Sequence, residues 1–264
     1  MNDEGVVVIT GASGGIGAAL ARQLARQGKR LVLAARREPE LRAITAEAQS
    51  IGATGAIPVT TDVTRRADID RLRDEAIKAY GKIDVWINNA GRGITRPVLD
   101  LTDDDVDDMI TVNLKSALYG MQAAIPHFIE RESGHLINIS SFLGRVPVAT
   151  YRSAYSASKA ALNSLTANAR MDLRERYPNI HVSLVMPGPV TTDFARNAGT
   201  DALAGGLPPR RPGGAMQAQT PEEVAEAIAS VIENPVAEIY TNPASAEIVR
   251  RYYADVSAFE ERLA

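Results

Sequence analysis

The stretch "YRSAYSASK", residues 151–159, carries two tyrosines four residues apart and a lysine four beyond the second. On a helix, residues four apart share a face and lie about 6 Å apart along the axis, whereas a separation of eight means about 12 Å. Lys159 can therefore stand beneath the ring of Tyr155 but not beneath that of Tyr151. A phenol titrates near pH 10, which makes it a poor proton donor at neutral pH. One ammonium about 5 Å away, at an effective dielectric near 20, would favour the phenolate by about 3 kcal/mol, roughly two pKa units. Tyr155 is the candidate proton donor on this geometry. Ser153 is expected to cap the helix, leaving Tyr151 in the preceding loop to pack or to line a pocket. Alone, such a pair is also ordinary helix surface, so the rest of the chain decides.

A second group lies near the start. "VVVITGASGGIG" puts Gly11, Gly15 and Gly17 directly after an apolar run and at the head of a helical one. Glycines there permit a tight turn, close backbone approach to a pyrophosphate, and close helix–strand packing. The anion then rests on the free N–H groups of the helix N-terminus. The reading is dinucleotide binding, although the spacing departs from G-x-G-x-x-G.

The elements that must position these groups follow from the apolar pattern. Short apolar runs recur at 6–9, 31–35, 83–87, 136–139, 181–186 and 237–240, with a weaker one at 56–60. Between most of them the period is helical: Ile16, Leu20 and Leu24 share a face that stops at Gly28, and Ile69, Leu72 and Ile77 behave similarly. Continuous apolar strands alternating with helices predict an α/β fold, a mostly parallel seven-stranded sheet with six or seven helices on both faces. Thr102 before Asp103, Asp104 and Asp105 reads as a helix cap rather than a metal site, and "TPEE" at 220–223 as a capping box. Residues 197–219, rich in glycine and proline, are expected to form a lid loop within a single domain, 1–264.

Composition excludes several classes. A net charge of −3 with no basic stripe argues against nucleic acid, and zero cysteines exclude disulfides and thiolate chemistry. The three histidines, His127, His135 and His181, have no metal-ligand spacing, so no metal is expected. No apolar run reaches the roughly 18 residues of a membrane span. The acidic start "MNDEGVVVIT" is unlike a secretory signal, so a cytoplasmic protein is expected.

Five motifs together resemble the short-chain dehydrogenase/reductase family. They are TGxxxGxG at 10–17, "NNAG" at 88–91, "ISS" at 139–141, "YSASK" at 155–159 and "PGPVTT" at 187–192, in the family's order. The resemblance implies a Rossmann-like doubly wound sheet and a catalytic tetrad matching Asn113, Ser141, Tyr155 and Lys159. Ser140 is adjacent, and Ser141 is preferred because it should stand at the strand's exit. On this resemblance hydride transfer to a carbonyl leaves an alkoxide that Tyr155 protonates while Ser141 polarises the oxygen. Asn113 would shape a helix irregularity near Lys159. The dinucleotide would contact Gly11, Ser13, Gly15, Ile16, Gly17 and Ala90, with Asp62, Val63, Asn89 and Gly91 towards adenine. Val190 and Thr192 would contact the nicotinamide carboxamide, Pro187 and Gly188 would also contact the dinucleotide, and Lys159 would hold the nicotinamide ribose.

Cofactor choice turns on "LVLAARRE", where Arg36 and Arg37 occupy the place of the acidic residue in NAD-using relatives. A carboxylate there repels a 2′-phosphate and guanidinium groups attract it, so NADP(H) is expected over NAD(H). The activity implied is interconversion of a small-molecule carbonyl with its secondary alcohol. A non-catalytic dinucleotide-binding regulator, or an NAD-preferring alcohol dehydrogenase of the same fold, is the alternative. Helices around 103–130 and 153–176 would join subunits into a homodimer or homotetramer, and residues near 92–97 and 143–151 would shape the substrate pocket.

Overall fold

The structure is a computed structural model that describes residues 5–192, 194, 198 and 216–262. β1 (Val6–Thr10) is buried along its whole length and runs into α1 (Gly15–Arg26). There follow β2 (Arg30–Ala35), α2 (Glu38–Ile51), β3 (Gly55–Thr60), α3 (Arg66–Tyr80) and β4 (Val85–Asn88). α4 (Asp103–Ile110) passes through one π-helical turn, Thr111–Lys115, into α5 (Ser116–Glu130). Then come β5 (Gly134–Ile139), α6 (Ser153–Arg174), β6 (Ile180–Met186), α7 (Pro221–Glu233), β7 (Glu238–Tyr240), α8 (Pro243–Ala254) and α9 (Val256–Glu261).

The seven strands lie in the order β3-β2-β1-β4-β5-β6-β7, and every pairing is parallel. The expected doubly wound α/β sheet is therefore present. Alternate residues of each strand feed two separate cores, because successive side chains leave a strand on opposite faces. Ile9, Leu33, Ile87 and Val185 pack against α1, α2 and α7; Val8, Val32, Trp86 and Val182 pack against α3, α5 and α6. Burial on both faces is why these strands read as unbroken apolar runs.

Helix ends follow local chemistry. The Thr102 hydroxyl accepts from Asp105 N–H while the Asp105 carboxylate accepts from Thr102 N–H, and Thr220 with Glu223 repeats the arrangement. α1 ends with Gly28 at φ 73°, in the left-handed region that glycine enters without strain. Ser153 does not cap α6, contrary to the sequence reading. Arg152 occupies the cap position, and the Ser153 hydroxyl donates instead to the Arg96 carbonyl at 2.9 Å. The competing acceptor is close because the 92–97 loop bridges to Arg152. The described residues hold nine α-helices rather than six or seven, since the C-terminal segment forms two short ones. Of the expected lid, 197–219, only Ala198 and residues 216–219 are among the described residues.

The histidines have structural surroundings. His127 accepts from Ile83 N–H at 3.1 Å, and His135 meets His181 edge to face at 5.8 Å. Among the described residues no three acidic, histidine or cysteine side chains gather as a metal site. No helix among them is long and apolar enough to cross a membrane.

Candidate active site

The strands' carboxyl ends meet at one edge of the sheet, and the glycine loop lies there between β1 and α1. Gly11 has φ 70°, and a Cβ on it would come within 2.9 Å of Ala90 Cα. A Cβ on Gly17 would lie 2.4 Å from the Gly11 carbonyl oxygen. Both positions thus require glycine, the first for its backbone angle and the second for close packing. The loop is fixed from β4: Asn89 Nδ2 donates to the Thr10 carbonyl at 2.8 Å, and Ala90 N–H donates to the Thr10 hydroxyl at 3.1 Å. Asn89 therefore positions the loop with its side chain rather than turning it towards a ligand. Gly15 and Ile16 begin α1, where backbone N–H groups and the helix dipole favour an anion.

Asn113 lies in the π-helical turn, buried, and its amide is fully engaged. Oδ1 accepts from Arg92 N–H, and Nδ2 donates to the Arg92 carbonyl, each at 2.9 Å; Nδ2 also reaches the Ser158 hydroxyl at 3.1 Å. The irregular turn thus pins the segment after β4 onto α6. A Cβ on Gly91 would sit 3.2 Å from Asn113 Oδ1 and 3.5 Å from Lys159 Nζ. The bare backbone at Gly91 leaves the amide and the ammonium side by side.

Ser141 ends β5's exit, and its hydroxyl accepts from Leu143 N–H at 3.2 Å while pairing with the Tyr155 phenol. Ser140 faces away, donating to Asn163 Oδ1. Lys159 Nζ lies 5.9 Å from the centre of the Tyr155 ring and donates to the Ile139 carbonyl at 2.9 Å. Ser141, Tyr155 and Lys159 are thus brought together; Asn113 joins them beside Lys159. The electrostatics differ from the sequence estimate. Burial raises the Tyr155 pKa above its ordinary value, and the opposing pull of the Ser141 hydroxyl and the Arg152 charge is smaller. Lys159 is itself lowered to about 8 by burial. Desolvation of both groups is what a calculation from one charge and one distance omits.

On the far side of the glycine loop, Arg37 folds back over it. Its guanidinium donates to the Ser13 carbonyl and hydroxyl, both at 3.1 Å, and a Cβ on Gly14 would lie 2.9 Å from Nη2. Glu40 is 3.4 Å away in an exposed ion pair, which holds Arg37 only weakly. The Asp62 carboxylate accepts from the N–H and hydroxyl of Thr64, and with Arg36 and Arg65 nearby its pKa is lowered despite burial. Val63 packs against the core beneath α3.

The loop after β6 closes the edge. The Pro187 carbonyl accepts from Phe142 N–H at 3.1 Å, and Gly188 is crowded by Met216, Asn242 and Ser245. Val190 packs against the core on the α1 side and bridges to Gln219. A Cβ on Gly15 would lie 3.4 Å from the Thr192 methyl, so the two loops meet. Phe194, which the sequence reading overlooked, sets its ring edge to face against Tyr155 at 5.5 Å. Arg152 was overlooked too, inside the very stretch that drew attention. Its position three residues before Tyr155, one helical turn back, was the available signal.

The short chain dehydrogenase family model matches residues 5–203. An uncharacterized oxidoreductase of Staphylococcus epidermidis is 37% identical over 198 residues, spanning 75% of this chain and 82% of its own length. A short chain dehydrogenase/reductase from Burkholderia phymatum, solved with NAD, superposes with a TM-score of 0.84 at 28% identity, over 97% of this chain and 95% of that one. An actinorhodin polyketide ketoreductase variant with NADPH gives a TM-score of 0.79 at 28% identity, over 91% and 96%. The motifs, their assembly at one sheet edge and these likenesses agree over the same residues: the chain belongs to the short-chain dehydrogenase/reductase family, as one of its oxidoreductases.

Proposed function

We propose that the protein interconverts a carbonyl compound and its secondary alcohol with NADP(H), Tyr155 giving the proton in the reductive direction. The observation that carries this reading is the grouping of Ser141, Tyr155 and Lys159 within reach of the glycine loop. A nicotinamide dinucleotide, once bound, supplies or accepts the hydride. The loop of Gly11, Ser13, Gly15, Ile16 and Gly17 suits its pyrophosphate, because two of these positions exclude a side chain and the helix dipole favours the charge. Ala90, Pro187, Gly188, Val190 and Thr192 would complete its binding, with Asp62, Val63, Asn89 and Gly91 on the adenine side.

In the reductive direction the Ser141 hydroxyl polarises the carbonyl oxygen and Tyr155 Oη transfers its proton there. A raised pKa keeps Tyr155 protonated but makes it the weaker acid, so its proton leaves readily only if the phenolate is stabilised. Lys159, with its pKa near 8, is mostly charged at neutral pH and stabilises the phenolate left behind. Asn113 fixes the segment at Gly91–Arg92 so that Lys159 keeps its place.

The choice of NADP(H) rests on Arg36 and Arg37. Arg37 stands over Ser13 and Gly14. Oxidation of NADPH and of NADH against a panel of ketones and aldehydes tests the proposal; no turnover with any of them would reject it.

A further inference from the structure

Four arginines lie on the segments that follow β4 and β5 and precede α6, and three have carboxylate partners. Arg92 meets Asp108 at 2.6 Å, Arg96 meets Asp105 at 3.2 Å, and Arg145 meets Glu238 at 2.6 Å. Arg152 has none among the described residues. Among the described residues its guanidinium donates only to the Ile94 carbonyl, at 3.5 Å, and it lies 5.9 Å from the centre of the Tyr151 ring. It is half-buried, and loss of water holds its pKa below the usual value. A charge withdrawn from water without a counter-ion is unfavourable unless something else supplies the opposite charge.

The position of that charge is well defined. A Cβ on Gly93 would come within 2.7 Å of Arg152 Nη1 and 2.8 Å of Phe194 Cε1, so the guanidinium and the Phe194 ring flank the same bare backbone. Phe194 in turn packs on Tyr155. The backbone of Arg152 is held by its N–H donating to the Ala149 carbonyl, and Arg96 N–H donates to the Tyr151 carbonyl next to it. Arg152 also occupies the N-cap of α6, whose positive end adds to the attraction for an anion. The planar guanidinium suits a carboxylate, which it can engage through two N–H groups at once.

Resting on the oxidoreductase reading above, we infer that the substrate is an oxo acid, or the matching hydroxy acid, whose carboxylate binds Arg152 while its carbonyl oxygen faces Ser141 and Tyr155. Arg152 is thereby a specificity-determining residue. Phe194 and Leu143, both packed around Tyr155, would contact the carbon chain between the two polar ends.

The test compares 2-, 3- and 4-oxopentanoate with their methyl esters, using the full-length protein and NADPH. At least one acid should surpass its ester about 10- to 100-fold in kcat/KM, mainly through KM. Arg152→Gln should lower kcat/KM at least tenfold more for that acid than for its ester, and Arg152→Lys should recover part of the loss. Esters used as well as the acids would overturn the inference. So would equal losses for acid and ester accompanied by a shifted pH profile, which would mean that Arg152 acts on Tyr155 alone. Calorimetric binding of the same acids, with NADPH present, separates the two readings. Acids bound in an Arg152-dependent way without any turnover would reject the oxidoreductase reading and leave this site standing; acids bound no better than esters would reject the site.

Discussion

Lys159 Nζ stands 5.9 Å from the centre of the Tyr155 ring, and its own pKa is lowered to about 8 because it is buried. The ammonium that stabilises the phenolate is lost as pH rises through that value. The kcat for carbonyl reduction should therefore be level below about pH 8 and fall above it. Lys159→Arg, which keeps its charge, should move that fall upward; a profile unchanged by the substitution would count against Lys159 as the tuning charge.

Tyr155→Phe removes the donor while keeping the ring that packs on Phe194. Turnover should drop by about 10²–10⁴-fold, with dinucleotide binding, read by fluorescence titration, close to wild type. Tyr151→Phe should retain most activity. A Tyr155→Phe protein at near-normal rate would overturn the assignment.

Arg36→Asp combined with Arg37→Ala should shift the ratio of kcat/KM values from NADPH towards NADH by about tenfold or more. Both arginines are exposed and neither supports the core, so Tm should hold. Wild-type protein that uses both dinucleotides equally well would contradict the proposed preference.

His135 makes stability depend on acid. The Ser183 hydroxyl donates to the Val236 carbonyl and so accepts from His135 Nε2–H, leaving Nδ1 buried without a partner. Burial lowers the His135 pKa from 6.5 to about 3. The unfolded chain takes up this proton first, so the contribution to stability is full above pH 6.5 and is lost as pH falls towards 3. The loss should be roughly 3–5 kcal/mol. Urea titrations should show a steep acid limb that His135→Gln flattens; equal slopes would contradict this account.

Assembly is the remaining expectation from family likeness. Val106 on α4 and Met171 on α6 are exposed apolar side chains on the helices that would join subunits. Light scattering at micromolar concentration should report a dimer or tetramer, and Met171→Glu should weaken it. A monomer would refute the proposed contact.

Much of this was legible in the sequence because parallel strands buried on both faces leave unbroken apolar runs. All seven were visible, down to the weak one that became β3, whose Pro58 is tolerated on an edge strand. Glycines that need a special backbone or no side chain were equally plain. Quantities that depend on desolvation were not. Spacing puts Lys159 one turn beyond Tyr155, yet does not reveal that burial outweighs the opposing pull of Ser141 and Arg152 on the phenol. Arg152 was hidden because an arginine without a carboxylate partner among the described residues is recognisable only when the places of the carboxylates are known. The failed cap at Ser153 reflects a carbonyl from a distant loop, which local rules cannot anticipate.

The strand order has a consequence for synthesis on the ribosome. β1 is made first yet becomes the middle of the sheet, with β2 on one side and β4 on the other. Until Val85–Asn88 emerges, one edge of a largely apolar strand has no partner, and such edges invite association with other chains. The loop that meets Gly15 arrives only with Thr192. A nascent chain thus exposes one edge of its central strand until β4 is made, while the loop that meets Gly15 is made later still.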